Sequence, residues 1–216
     1  MLYMFYAYLT IIAISFLAGL SVYFQKESPV YLRLFPVFLI VTLFFNSYGL
    51  YLSLHGYHNV GIFNAYNLIS TSFFLYVLRS NIVNPRIRKI IIWTLIFFGL
   101  FAIWNAIFWQ KMENYNNVTF ALGSLFIVAF SFAYFIEIFQ NQHAVNLLYE
   151  PSFWICSGLI FFNTCALPYF GLIHLIENLP QVMLARITIA ELILNMLLYS
   201  TFAVSFLCRL QIRKSI

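Results

Sequence analysis

Long apolar runs separated by short polar segments dominate the pattern of this chain. Each run holds about the 20 residues that an α-helix needs to cross the ~30 Å hydrocarbon core of a bilayer. The short segments between them contain Gly, Pro and Asn, which favour turns and helix ends. The pattern predicts an all-α integral membrane protein, with residues 1–216 forming one seven-transmembrane helix bundle. The predicted spans are 3–24, 34–54, 61–79, 89–109, 118–139, 151–175 and 183–208.

The amino-acid composition indicates that these apolar runs lie in a lipid bilayer. Hydrophobic residues make up 63% of the chain and charged residues 8%, whereas about 25% of a soluble domain is charged. The net charge of +5 does not indicate nucleic-acid binding, because the basic residues lie in breaks between apolar runs. Cys156, Cys165 and Cys208 lie inside apolar runs without metal-ligand spacing, so we interpret them as packing residues. We expect neither a metal nor a cofactor.

Basic residues are unequally divided between the two sets of connections, which predicts an orientation. Connections on one side and the C-terminal tail hold nine basic residues, and the other side holds two, Lys111 and Arg186. Cytoplasmic segments are the ones enriched in Lys and Arg, so the N-terminus is predicted outside and the C-terminus in the cytoplasm. The segment 79–89 is expected to contact anionic lipid headgroups on the cytoplasmic face. The nine residues are Lys26, Arg33, Arg79, Arg86, Arg88, Lys89, Arg209, Arg213 and Lys214.

A polar stripe runs along the seventh predicted span. Thr188, Glu191, Asn195 and Tyr199 are spaced by three, four and four residues, so they share one face of a helix. Other spans carry polar side chains at the midplane or in the outer half, and these should face one another because lipid offers no hydrogen bonds. The predicted result is a ligand pocket inside the outer half of the bundle. Its predicted members are Thr188, Glu191 and Asn195 of the stripe, together with Asn46, Asn64, Asn67, Asn105, Asn163 and His174.

Structural interpretations of the same residues stay open. Asn side chains between membrane helices often serve only as interhelical hydrogen bonds. A protonated Glu191 bonded to an Asn would be structural, whereas a charged Glu191 needs a cation, a basic ligand or water. Glu137 lies near the end of the fifth span, where we expect it to extend towards headgroups or a loop arginine.

This chain lacks residues that several known classes of seven-helix membrane protein require. Zinc hydrolases resembling alkaline ceramidases use three histidines, an aspartate and a serine, and this chain has no aspartate. A retinal protein needs a lysine in the seventh span, which holds none. PQ-loop transporters carry their motif in each half, whereas Pro180–Gln181 occurs once, at a loop.

The segments NAYNLIS at 64–70 and PSFWICSGLIFF at 151–162 resemble parts of small seven-helix bacterial membrane proteins with no assigned activity. Some of those are similar to the membrane part of sensor systems. The resemblance implies a multi-pass protein of a bacterial inner membrane, and it implies no functional residues.

Three function classes are considered for such a bundle, and a purely structural or assembly role stays open beside them. The favoured one is a sensor, receptor-like or interaction module that takes a small molecule or lipid and acts on a separate protein partner. A partner is expected because the connections are too short to form a soluble domain. The alternative is a small proton- or cation-coupled transporter using Glu191. An intramembrane lipid-acting enzyme is less favoured, because no nucleophile and base are suitably spaced, and we predict no catalytic residue.

Overall fold

The computed structural model describes residues 2–25, 28–110, 114–140, 147–171 and 180–212. In these ranges the chain forms seven α-helices and no strand, which confirms the all-helical prediction. Short 3-10 turns follow α1 at Ser21–Phe24 and precede α6 at Leu147–Tyr149, and a π-helical turn extends α4 at Asn105–Trp109. The helices are α1 (Leu2–Leu20), α2 (Val30–Leu54), α3 (Val60–Asn81), α4 (Pro85–Trp104), α5 (Asn117–Gln140), α6 (Pro151–Gly171) and α7 (Gln181–Ile212).

Most helix boundaries lie within a few residues of the predicted ones. Helix α2 begins four residues before its predicted span, directly after Pro29, and continues through Pro36. Helix α4 also begins early, because Asn84 caps it by accepting a hydrogen bond from the Arg86 amide and Pro85 fits the first turn. The last predicted residues of the sixth span, 172–175, lie outside the described residues.

Within the described residues, six helical segments are long and apolar enough to cross a membrane. Their best windows have mean hydropathies between 1.3 and 2.2, and only 22–33% of each window is buried inside the bundle. The outward surface is therefore largely apolar, with Trp93, Phe97 and Leu100 of α4 among its exposed side chains. An apolar surface of this extent suits lipid rather than water. The segments are Leu2–Phe24, Val30–Leu54, Val60–Asn81, Pro85–Trp109, Asn117–Gln140 and Val182–Cys208.

Helix α6 is not one of the six, although it packs extensively against α5 and α7. Its position between two apolar helices agrees with a seventh span. The number of spans and the orientation stay predictions.

Six helices form a closed ring, and one lies outside it. Around the ring, α1 packs on α2, α2 on α3, α3 on α5, α5 on α6, α6 on α7 and α7 on α1. Helix α4 packs in the outer groove between α3 and α5. Helices α3 and α5 run the same way, because Asn64 near the start of α3 bonds to Asn116 just before α5, and Glu137 near the end of α5 bonds to Asn84 just after α3. Helices α1 and α7 also run the same way, because Tyr8 packs on Tyr199 and, further along both helices, Gly19 lies against Phe206. The end where α2 and α4 begin, with exposed Arg33, Arg86 and Lys89, is called the basic end.

Small residues allow the helices to approach closely. A Cβ atom at Gly19 of α1 would lie 3.2 Å from the Phe206 ring of α7 and 3.3 Å from Pro36 of α2. A Cβ atom at Gly123 would lie 2.9 Å from Thr71. Close backbone approach at small residues is a common way for membrane helices to associate. The ring is therefore tightly packed along α1, α2 and α7.

A phenylalanine cluster fills the half of the ring nearer the basic end. It joins α2, α3 and α7 through ring pairs whose centroids lie 4.2–6.3 Å apart. Such spacings are those of favourable stacked and edge-to-face contacts. The phenylalanine cluster consists of Phe35, Phe38, Phe73, Phe74, Phe202 and Phe206.

Glu137 has a structural role that the sequence did not indicate. Its carboxylate accepts hydrogen bonds from the backbone amides of Val83 at 2.8 Å and Asn84 at 2.7 Å. These residues connect α3 with α4, so Glu137 ties that connection to α5. Backbone amides that precede a helix otherwise lack an intrahelical partner, and a carboxylate satisfies them well.

Candidate functional site

An internal cavity of about 360 Å³ lies in the half of the ring away from the basic end. Its wall comes from α1, α2, α3 and α7, completed by Phe120 of α5, Phe162 of α6 and Tyr115 of the α4–α5 connection. Of seventeen lining residues, nine are aromatic, two are leucines, five are neutral and polar, and one is Glu191. Mostly apolar walls with a few polar groups are typical of small-molecule sites of this size.

The polar stripe of α7 faces this cavity. Thr188, Glu191, Asn195 and Tyr199 all line it, which agrees with the shared helix face expected from their spacing. Thr188 Oγ1 donates to the Leu184 carbonyl at 3.0 Å, and Asn195 Nδ2 donates to the Glu191 carbonyl at 3.0 Å. Within the described residues, no side chain donates a hydrogen bond to the Glu191 carboxylate, which is half-buried. The carboxylate is therefore the unsatisfied polar group of the stripe.

Asn46 and Asn67 bring amide groups to the cavity from α2 and α3. The Asn46 side chain is engaged on both sides, since its Nδ2 donates to the Thr42 carbonyl at 2.9 Å and its Oδ1 accepts from the Tyr8 hydroxyl at 3.2 Å. Asn67 Oδ1 accepts from Thr71 Oγ1 at 3.3 Å on its own helix. Both residues are buried, so the structure brings five of the predicted pocket residues to one cavity.

Tyrosine hydroxyls link three helices at the inner wall of the cavity. The Tyr66 hydroxyl lies 2.9 Å from that of Tyr199 and 3.1 Å from Thr42 Oγ1, which joins α3, α7 and α2. The sequence signal for Tyr199 was its place on the α7 stripe. Tyr8 and Tyr66 carried no comparable signal, because tyrosines near helix ends are also typical of the membrane interface.

Three predicted residues do not line the cavity. The Asn64 side chain donates to the Asn114 carbonyl and accepts from the Asn116 amide, both at 2.9 Å, so it anchors the α4–α5 connection. Asn105 Nδ2 donates to Thr119 Oγ1 on α5 at 2.8 Å. Asn163 Nδ2 donates to a carbonyl of its own helix at 2.8 Å. Among the described residues Asn64 is bonded through both ends of its amide, whereas Asn105 Oδ1 is buried without a hydrogen-bond partner. None of the three side chains faces the cavity, and we leave them out of the pocket proposed below.

Asn105 lies where α4 passes into the π-helical turn. Its own backbone is α-helical, with φ −62° and ψ −42°. The turn that begins there closes with a hydrogen bond of 2.9 Å from the Gln110 amide to the Asn105 carbonyl. It brings the Gln110 side chain close to Asn105, whose Nδ2 donates to Gln110 Oε1 at 2.8 Å, and Gln110 also bonds to Asn117 of α5. Sequence spacing assumes a regular helix and could not anticipate these partners. His174, the remaining predicted pocket residue, lies outside the described residues.

The phenylalanine cluster closes the cavity towards the basic end. Phe74 lines the cavity, and its ring centroid lies 5.2 Å from that of Phe38 and 5.9 Å from that of Phe202. Tyr199 continues the contact along α7, at 5.7 Å from Phe202. Side chains that would touch a ligand therefore pack directly on the core of the other half.

A second buried polar group joins the helices at the basic end. Ser152 of α6 lies 2.8 Å from the Tyr31 hydroxyl of α2 and donates to Asn81 Oδ1 of α3 at 2.7 Å. Ser152 also lies 3.3 Å from Glu150 Oε1. The phenylalanine cluster thus lies between two polar regions of the bundle.

Comparison with known proteins does not assign this chain to a family. No protein-family model matches the chain, and no curated protein or solved structure is significantly similar to it. The resemblance to small bacterial membrane proteins gains no support from these comparisons. Across the described ranges, no three His, Cys, Asp or Glu side chains are grouped so that they could hold a metal ion.

Proposed function

We propose that this chain is a multi-pass membrane sensor or receptor-like module. Its cavity binds a small molecule or a lipid-derived ligand, and the helices transmit occupancy to a protein partner at the basic end. The observation that supports this proposal is the cavity itself, in which Glu191 shares one wall with polar and aromatic side chains from six helices. An ionisable carboxylate inside a membrane-spanning bundle is costly and by default indicates function.

Transmission would run through the aromatic contacts below the cavity. A ligand that displaces Phe74 or Tyr199 must also shift Phe38 and Phe202, because the rings are in contact. Packed cores tend to have discrete arrangements, so small movements at a ligand become helix shifts at the far end. The polar group around Ser152 connects α2, α3 and α6 there, and would register such shifts.

A transporter using Glu191 is the second candidate. The cavity places a carboxylate where it could bind a proton or cation during alternating access. The phenylalanine cluster argues against an open path to the basic end in this conformation. A transporter must therefore separate α2, α3 and α7 at these rings during each cycle, whereas a sensor needs only small shifts.

The first experiment asks whether the cavity holds a molecule. The protein is extracted from native membranes in polymer nanodiscs, and bound small molecules are identified by mass spectrometry. We expect one compound at near-stoichiometric amount in the parent, lost in Thr188→Trp, which fills the cavity. Ile193→Trp introduces the same side chain at an exposed position of α7 and should retain the compound. Equal compound content in all three proteins would refute the cavity as a ligand site.

The second experiment distinguishes signalling from transport. Spin labels at Arg33→Cys and Arg88→Cys, in a background without the native cysteines, report the distance between α2 and α4 at the basic end. For a sensor, adding the compound found above changes this distance, and proteoliposomes do not accumulate it. Glu191→Gln should then alter the response while the protein stays folded and abundant. If transport is right, pH-dependent uptake occurs and Glu191→Gln abolishes it.

A further inference from the structure

Most of the neutral polar groups of the cavity already bond within the protein. Asn46 bonds through both ends of its amide, and Thr188 and Asn195 donate to carbonyls of their own helix. Ser70 Oγ likewise donates to the Asn67 carbonyl at 3.1 Å. Buried polar groups that are satisfied in this way have little capacity left for a ligand. Recognition must rely on the groups that remain.

The groups that remain for a ligand are the Glu191 carboxylate, the aromatic rings, and one end of the amide in each of Asn67 and Asn195. Glu191 carries the only charge among the described lining residues, and no basic side chain from α1, α2, α3 or α7 lines the cavity with it. Arg186, the nearest basic residue along α7, is exposed and is not part of the wall. A carboxylate in an apolar cavity attracts a positive partner, and aromatic faces attract cations as well.

The volume argues for a cation with an apolar body. About 360 Å³ is far more room than a bare metal ion or proton needs. An inorganic ion at Glu191 would leave the rings of Phe5, Phe63 and Phe162 facing water. An organic cation instead fills the space and removes its own apolar surface from water.

We propose that the cavity takes an organic ammonium ion whose charge pairs with Glu191 and whose apolar body packs against the aromatic wall. This inference rests on the proposed function, because it names the ligand class of the same cavity.

The test uses the full chain in nanodiscs of zwitterionic lipid, which do not themselves attract cations. Equilibrium dialysis measures binding of labelled benzylamine and benzyltrimethylammonium, with benzyl alcohol and benzenesulfonate as neutral and anionic probes. We expect one of the two ammonium probes to bind best. Glu191→Gln should weaken its binding about tenfold to a hundredfold, the range for losing an interaction with a charged group. Glu150→Gln removes the same charge at the basic end and should leave binding unchanged.

A measurement on the parent protein covers the case in which Glu191→Gln does not fold. Dicyclohexylcarbodiimide modifies carboxyl groups in apolar surroundings, and peptide mass spectrometry shows whether Glu191 is labelled. Ten millimolar benzyltrimethylammonium or benzylamine should slow this labelling several-fold, whereas benzyl alcohol should not. Equal labelling with all probes would overturn the proposal.

The remaining outcomes separate this inference from the proposed function. If benzyl alcohol binds as well as the ammonium probes and Thr188→Trp abolishes both, the cavity is a ligand site but the cation class is wrong. Labelled sodium ion serves as a further probe. If it binds at Glu191 and the ammonium probes do not, the proposed organic ammonium class is wrong and transport is favoured. If no probe binds and the native protein carries no compound, both the inference and the proposed function fail.

Discussion

The contact between Glu137 and the α3–α4 connection gives a sharp prediction for local stability. In Glu137→Ala, the amides of Val83 and Asn84 lose an acceptor held at 2.8 Å and 2.7 Å. A hydrogen bond to a charged group contributes ~1.5–3 kcal/mol when buried, but both amides belong to exposed residues and water can replace part of it. We therefore expect about 1–3 kcal/mol for the pair together.

Native-state hydrogen exchange measures this loss directly. Because ~1.4 kcal/mol corresponds to a factor of ten, protection of the two amides should fall roughly tenfold to a hundredfold. Pro85 has no amide hydrogen, so a short peptide ending there reports the connection without the start of α4. Protection in the middle of α3 and α5 should stay unchanged, because local opening does not require the whole bundle to unfold.

Two variants make the result specific. Glu137→Gln keeps one acceptor oxygen and should lose about half of the effect. Glu150→Gln removes a carboxylate at the same end that bonds to Ser152 instead, so exchange at Val83 and Asn84 should not respond. If Glu137→Ala leaves these amides fully protected, the carboxylate does not hold the connection and the structural interpretation is wrong.

Three further changes test the wall of the cavity and its surroundings. Asn64→Ala should free the α4–α5 connection, which limited proteolysis would detect as faster cleavage near residue 114, since two backbone bonds at 2.9 Å are lost. Tyr66→Phe should lower the free energy of unfolding by ~0.6–1.5 kcal/mol in detergent titrations, because its hydroxyl bonds to α2 and α7. Gly49→Ala should reduce binding of a cavity ligand, because its Cβ would lie 2.7 Å from the Phe63 ring that lines the cavity. Gly99→Ala, with nothing within 4 Å of its Cβ, should leave that binding intact.

The helices and the α7 stripe could be predicted from sequence for one physical reason. The length of an apolar run and the spacing of its polar residues are both properties of a single helix. The run 183–208 therefore predicted a helix, and the spacing within it predicted that Glu191 and Asn195 share a face. The same spacing also placed Asn46 and Asn67 on the inner sides of α2 and α3. Local periodicity therefore identified the polar part of the wall.

Contacts that depend on a second element were not predictable. Asn105 bonds to Thr119 of α5, fourteen residues away, and Asn64 bonds to the backbone of a connection fifty residues away. Glu137 satisfies the backbone amides of Val83 and Asn84, a partner that its place in the sequence did not indicate. In each case a competing partner exists only after the helices are assembled, so one residue's depth and face do not decide its role.

The position of α4 outside the ring has a consequence for how this sequence can vary. Helix α4 gives no side chain to the cavity wall, and much of its surface faces outward. Exchanges between Trp, Phe, Leu and Ile at its outward positions should therefore be nearly neutral during evolution. In an alignment of homologues, amino-acid exchanges should be most frequent along α4 and least frequent where α2, α3 and α7 meet.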